Sequence, residues 1–555
     1  MSLRVRADTV VDSLGLDDEV EAGESRPWLS RQWRWIWFFI ALGAAARLLR
    51  YGLRFPFWGD ESLISVNFLN RGYLDLLQPL DAHQVAPLLF LWIEATAVRL
   101  FAFSEYSLRA WSCVGALASL LLFPYFARQL LRGTALVLAI AVFAVSYPCI
   151  RYAAEVKPYG GDVLMALVLM TLTVRWWRQP EQTRWLWGLV GVTPLAIGVS
   201  YPAVFVAGGV SLVVAGVLWQ TSVRRGWLPW VVYNLVLLAS FGLFFVLVAG
   251  RQMTAESTVM TDFWRDAFPP LNSPIALASW LFTTHTSDML AHPVGGEHCG
   301  SILTAVLCIV GLAVLCRRRQ YRVLALCLLP AALNFVAAAM HRYPYGGHVR
   351  MAMHLAPAIC LLTGLGAAAL VEWRRPGARV QWPSSSRLRA ALIVLALICA
   401  VSIGRDLYRP AKADFDLKNR AFTQWFWNHM TWDRELVCLR TDLGLSFPKP
   451  GHAWYCGVSE YLCYQRIYSP RHARGEPAHL DRVSVSRPLC CVQYRSGYWG
   501  YDETRFAAWL ETMKTRYDLV GTDRYPLIHG RVAQPENVDY VEVYKFIPKS
   551  PLATR

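Results

Sequence analysis

The chain has 555 residues, 55% of them hydrophobic, and a mean hydropathy of +0.31. This is more apolar surface than one aqueous core can hide, which argues against a soluble globular class and for a polytopic membrane protein. The net charge of +16 does not imply nucleic-acid binding, because the basic residues concentrate in short loops between apolar stretches, where they set orientation and meet anionic headgroups.

Residues 1–30 are polar, with acids at Asp17, Asp18, Glu19 and Glu21, and read as a disordered cytoplasmic tail. Arg31 and Arg34 precede an apolar run that continues to about Tyr51 without a small-residue cleavage site, the pattern of a retained signal anchor. Eleven apolar stretches follow one another at 35–53, 107–127, 133–150, 162–177, 185–200, 202–219, 228–249, 300–316, 322–340, 349–371 and 388–405, near the length a bilayer requires. Segment 86–103 is also long enough to cross but carries Glu94 and Arg99, and reads as an amphipathic helix lying in the interface.

With 86–103 left out of the count, Arg128/Arg132, Arg178/Arg184, Arg224/Arg225, Arg317 to Arg322 and Arg374 to Arg389 all fall on the N-terminal side, which the positive-inside rule makes cytoplasmic. Segments 54–106, 151–161, 250–299 and 341–348 then face outward, as does a polar block, 406–555. The expected organisation is a tail (1–30), a membrane domain (31–405) whose first outward loop is 54–106, and an extracytoplasmic α/β domain (406–555). In that last block the pattern predicts helices near 417–430 and 504–516 and strands at 436–439 and 540–544. Tyr498 to Asp502 is an aromatic-acid run whose expected role is packing. Of the thirteen cysteines, Cys299, Cys438, Cys456, Cys463, Cys490 and Cys491 lie outside the apolar stretches, where an oxidising face would allow disulfides of undetermined connectivity.

Three outward segments carry candidate chemistry. Asp60 and Glu61 follow the aromatic, turn-prone Phe55 to Gly59, which holds the acids at the membrane surface. Partial desolvation there raises a carboxylate's proton affinity and suits it to general-base work; the competing reading is a helix-capping acid. Arg151 to Tyr159, ending at Asp162, gathers ionisable groups at the membrane edge, with Arg151 and Lys157 able to hold a phosphate; the competing reading is an internal salt bridge of Glu155 with Arg151 or Lys157. His341 to Arg350 contains Gly346-Gly347, which lets backbone approach an anion at the start of the next helix, or else is a tight re-entry turn with snorkelling arginines. His83, His285, His292 and His298 are the candidates to hold a divalent metal ion, although no pair has a recognisable ligand spacing.

The acidic pair after the first stretch, the interfacial helix starting near Pro87, the R-Y-A-A-E-V-K-P-Y loop and the R-Y-P-Y-G-G-x-x-R turn together resemble the GT-C glycosyltransferases of the protein O-mannosyltransferase and lipid A aminoarabinose transferase type. The resemblance spans approximately 35–370. It implies the GT-C fold, a polyprenyl-phosphate sugar donor, an acceptor in the cell envelope and transfer with inversion at the outer face of the inner (plasma) membrane. Asp60 matches the catalytic aspartate, with Glu61 as companion. Arg151, Lys157, Arg342 and Arg350 are then expected around the donor phosphate, and His83, Glu155, Tyr159 and Tyr345 around the substrate. One departure is His83 to Pro87, where the aminoarabinose type has a lysine. The alternatives from other classes are a lipid-linked-sugar flippase or transporter and a non-catalytic lipid-binding homologue. Spans nearly free of central charge argue against the first.

Overall fold

The computed structural model describes residues 27–81, 84–221, 224–253, 263–296, 298–372, 385–412, 414–429, 435–438, 460, 462–468, 489–495, 503–527 and 539–549. Each of the eleven apolar stretches is helical: α1 (Pro27–Gly52), then, after the first loop with α2 (Gly59–Ser65) and α3 (Leu88–Phe101), α4 (Glu105–Ala127), α5 (Gly133–Val145) with the short α6 (Tyr147–Arg151), α7 (Tyr159–Arg178), α8 (Arg184–Val199), α9 (Ala203–Thr221) and α10 (Trp227–Phe244). After α11 (Pro274–Thr286) come α12 (Ile302–Arg317), α13 (Tyr321–Ala339), α14 (Ala356–Val371) and α15 (Ser385–Tyr408). The first helix starts at Pro27, inside the stretch expected to be tail. Among the described residues six helices are long and apolar enough to cross a membrane, or seven if the pair Gly133–Val145 and Tyr147–Ala154, bent by 45°, is one span; Arg184–Val199 and Ile302–Arg317 are apolar but shorter.

The surface of this bundle is what a bilayer requires. Leu235, Leu238 and Phe241 on α10 are 61%, 67% and 44% exposed, a contiguous apolar face that water would not tolerate. At the centre lies α14, packed on α5 and α12. Small residues permit that approach: a Cβ on Gly364 would stand 2.4 Å from the backbone of Ala139, and one on Gly366 would stand 1.9 Å from the Leu307 carbonyl oxygen. Arg47, wholly buried in α1, donates to the carbonyls of Gly43 (2.9 Å), Ala144 (2.8 Å) and Phe143 (3.4 Å), so this charge ties α1 to α5.

The basic loops at 128–132, 178–184 and 224–226 share one end of the bundle. The Arg178 guanidinium donates to the Gln129 carbonyl, and Gly226, beside Arg225, packs near Trp176 and Leu186. The other end of α7, at Tyr159, is about 30 Å away by helix rise. Segment 86–103 is helical as expected, but Glu94 is not on a wet face: it is fully buried, with neither carboxyl oxygen bonded. Burial alone pushes its carboxyl well above the usual range.

After α15 the chain forms α16 (Asp414–His429), β1 (Glu435–Cys438), a helical piece at 462–468, β2 (Leu489–Arg495), α17 (Glu503–Arg516), β3 (Tyr517–Leu527) and β4 (Asp539–Pro548). The expected helices and strands are there, joined by β2, β3 and the 462–468 helix. The strands form one sheet of order β1-β2-β4-β3, parallel only between β1 and β2. These elements do not stand apart from the membrane domain. Phe422, Leu462, Cys463, Tyr464 and Val543 share a buried cluster with Phe57, Ile64, Phe68, Phe90 and Leu91 of the first loop and α3. The Tyr464 hydroxyl accepts the Phe57 N–H at 2.7 Å. Cys299 and Cys463 are free thiols, and Tyr498 to Asp502 lies outside the described residues.

The close helix contacts are testable. Gly366→Ala should lower the stability of the detergent-solubilised protein by about 1–3 kcal/mol, the cost of overpacking. Gly404→Ala, which meets no atom within 4 Å, should leave the melting temperature unchanged or slightly raised.

Candidate active site

The first loop is built around one buried arginine. Arg109 of α4 is 1% exposed and uses its planar fork fully: Nε and Nη2 donate to the two Glu61 carboxylate oxygens at 2.8 and 2.7 Å, Nη1 to the Phe55 carbonyl at 2.7 Å and Nη2 to that of Pro56 at 3.4 Å. Glu61 also accepts the Val156 N–H at 2.9 Å, so the same carboxylate holds the 151–158 loop. Glu61 therefore does not stand beside Asp60 as a second reacting acid. Its oxygens are taken up by Arg109 and the Val156 N–H.

Asp60 is differently placed. It lies in the first turn of α2, whose N-cap, Trp58, makes no side-chain cap bond. Successive helical positions point about 100° apart. With Glu61 drawn into α4, Asp60 faces the other way and forms an ion pair with Arg350, their side chains 19% and 10% exposed.

The 341–350 turn delivers that arginine. Gly346 and Gly347 have φ of 77° and 72°, and a Cβ on them would stand 2.3 Å from Thr284 and 2.7 Å from Ala267, so only glycine makes this reversal. His348 then receives the Arg350 N–H on Nδ1 at 3.2 Å and lies 3.5 Å from the Tyr152 hydroxyl. Burial first, with Arg350, Arg151 and Lys412 adding to it, holds His348 neutral, down to about 3.

In the 151–158 loop Arg151 Nε bonds Glu155 Oε1 at 2.8 Å, the internal pair that was one of the two readings of this segment. Burial, the largest single effect, pushes Glu155 up, but Arg151, Lys412 and Arg50 together outweigh it and the carboxyl ends below its ordinary value. Lys157 Nζ donates to Gln84 Oε1 at 2.9 Å, and its own carbonyl accepts Ser112 Oγ at 2.8 Å. Desolvation lowers the Lys157 ammonium, with Asp60 opposing. Tyr159, half-buried, lies 4.9 Å from the Tyr152 ring and within electrostatic reach of Arg350 and Asp60.

Two expected residues are elsewhere. Arg342 is exposed, on the far side of the glycine reversal. Tyr345 is buried between Trp280 and Phe335, its hydroxyl 3.0 Å from His285 Nε2; it is packing against α11, where its large ring is best accommodated. His83 lies outside the described residues. Among the described residues no three of His, Cys, Asp and Glu gather as a metal would need, and His292, fully buried, has Nδ1 2.7 Å from Ser146 Oγ.

Three groups were not singled out in the sequence: Arg109, His348 and Lys412. An arginine five residues into an apolar helix was a usable signal for the first. Lys412, which follows α15, stands over the Trp58 ring and had none. Counting all of them, Asp60, Glu61 and Glu155 face Arg109, Arg151, Arg350, Lys157 and Lys412. The two lysines are left without a carboxylate partner among the described residues, and each carboxylate is taken by one arginine. Buried donors without an acceptor, Arg350 Nε and Trp58 Nε1, lie in the same place.

No protein-family model and no curated protein matches the sequence. Among solved structures the chain is similar to ArnT from Cupriavidus metallidurans bound to undecaprenyl phosphate, at 12% identity and a TM-score of 0.49, covering 92% of this chain and 98% of that one. It is also similar to the oligosaccharyltransferase AglB from Archaeoglobus fulgidus in complex with an inhibitory peptide and a dolichol-phosphate, at 14% identity and a TM-score of 0.43, covering 92% of this chain and 76% of that one.

Removing one side of the Arg109–Glu61 pair leaves an uncompensated charge in the core. Glu61→Leu and Arg109→Leu should each destabilise by about 3–5 kcal/mol, and the double variant should recover a good part of it. Thermal unfolding in detergent reads this. A double variant as unstable as the sum of the two would show that the pair does not act as a unit.

Proposed function

We propose that this chain is an integral membrane glycosyltransferase that moves a sugar from a polyprenyl-phosphate donor to an acceptor of the cell envelope, with inversion at the anomeric carbon. The observation that carries the reading is the meeting of three loops from distant parts of the chain around Asp60 and Arg350, with two cations more than carboxylates and at the end of the bundle opposite the basic loops. The positive-inside rule assigns that end to the outer face, where a lipid-borne phosphate lies at the depth of its headgroup. The ordered motifs that resemble the GT-C enzymes fall on these same loops.

In the proposed reaction an acceptor hydroxyl or amine attacks the anomeric carbon from the face opposite the phosphate. The bond from that carbon to the phosphate oxygen breaks, and its electron pair leaves on the phosphate. Asp60 takes the acceptor's proton as the new bond forms. Arg350 and Lys157 face the charge that grows on the departing phosphate, the place where preorganised donors lower a barrier most. Arg350 has one N–H to spare in its present pairing, so it can hold Asp60 and meet the phosphate together. Glu61 and Arg109 act by fixing the loop, and the Arg151–Glu155 pair by shaping the loop that carries Lys157.

Reconstituted with a panel of polyprenyl-phosphate hexoses and pentoses, Asp60→Asn should still bind lipid phosphate but turn over about 10²–10⁴-fold more slowly. Turnover within a few-fold of wild type would remove Asp60 as the base. Movement of intact lipid-linked sugar across proteoliposome membranes without release of polyprenyl phosphate would make the protein a flippase instead.

A further inference from the structure

The segment just after α15 belongs to the site for reasons of geometry. Asp406, in the last turn of α15, forms a buried ion pair with Arg50 of α1 and accepts from the Tyr147 hydroxyl at 3.4 Å. This pins the end of the helix beside the entrance to the first loop. Pro410 prevents the helix from continuing, and a tight bend, with the Ala411 N–H donating to the Arg409 carbonyl at 2.8 Å, turns the chain back. Ala411 is buried by this bend, and the next side chain, Lys412, comes to stand over the indole of Trp58, two residues before Asp60.

We propose, on the reading of the site given above, that Lys412 with Trp58 beneath it binds the phosphate of the ligand, so that the anion site is completed by the chain that follows the last apolar helix. Part of the Lys412 side chain stays open to solvent, as a residue meeting an incoming ligand must be, while its ammonium, over the Trp58 ring, is largely desolvated and lies within electrostatic reach of Asp60, Glu155, Arg151 and Arg350. The ring carries the cation by its face, while its buried Nε1–H has no acceptor. With Lys157, Lys412 makes up the surplus of two positive charges among the described residues, which matches the phosphate monoester dianion that departs in the proposed transfer.

The chemistry also ties binding to pH. Desolvation, with Arg151 and Arg350 adding to it and Glu155 and Asp60 opposing, holds the Lys412 ammonium below its ordinary value, at about 8. A bound phosphate favours the charged form. Above about pH 6, where the phosphate monoester is a dianion, affinity is therefore full below that value and falls as pH rises through it; His348, neutral down to about 3, does not titrate there.

The test is equilibrium binding of undecaprenyl phosphate, uncharged undecaprenol and inorganic phosphate to the full-length protein in detergent. Lys412→Met should weaken undecaprenyl phosphate by about tenfold or more and leave undecaprenol unchanged. Lys412→Arg should bind within a few-fold of wild type and lose the fall in affinity near pH 8. Equal affinity of wild type and Lys412→Met for undecaprenyl phosphate would overturn the proposal, as would equal loss of undecaprenol, which marks a structural role. Separately, a wild type that binds inorganic phosphate as well as undecaprenyl phosphate, with both weakened by Lys412→Met, keeps Lys412 as a phosphate ligand and removes the lipid donor.

Discussion

The end of the bundle that carries Asp60 and Arg350 depends on one buried ion pair. A guanidinium that is 1% exposed costs several kcal/mol in desolvation unless its donors are met. Arg109 has them met by Glu61 and by the carbonyls of Phe55 and Pro56, all from the first loop. Because Glu61 also accepts from Val156, the loops at 54–62 and 151–158 cannot move independently. The rest follows from helical geometry: with Glu61 committed inward, its neighbour Asp60 is turned toward the segment that carries Arg350.

Around that pair the protein separates holding from acting. Glu61 with Arg109, Glu155 with Arg151 and Arg50 with Asp406 are ion pairs whose carboxylates are buried; the first and last tie one element to another, and the Arg151–Glu155 pair holds the shape of its own loop. Asp60 with Arg350 and the two lysines are the charges that keep access to solvent or a donor to spare. A surplus of cations at a membrane edge is costly to a protein by itself and favourable only with an anion present. The C-terminal elements contribute to this arrangement, since Tyr464 and Phe422 pack under the first loop and Lys412 approaches it from above Trp58.

The comparison of residues shows where reading along the chain stops being informative. The 341–350 segment looked like one unit, but the two left-handed glycines split it: Arg350 goes to Asp60, while Arg342 stays exposed and Tyr345 packs against α11. Glu94 looked like the polar face of an interfacial helix and is fully buried instead, because α3 packs on both α4 and α8. In 151–158, by contrast, one of the two readings, the Arg151–Glu155 pair, was stated by spacing alone, and the i,i+4 contact is there. The C-terminal helices and two of the strands were legible from period, whereas β2 and β3 carry no clean alternation.

By itself the sequence determined the class of the protein, the positions of its apolar helices and the three loops where chemistry gathers. Those are properties of local composition and of charge between helices, and neighbouring residues suffice to read them. Only the tertiary structure decided which charged groups meet. Arg109 with Glu61, Arg350 with Asp60 and Lys412 with Trp58 are separated by 48, 290 and 354 positions. No periodicity reaches that far, and burial and packing decide that Glu61 is drawn inward to Arg109 while its neighbour Asp60 meets Arg350 at the partly exposed edge of the loops.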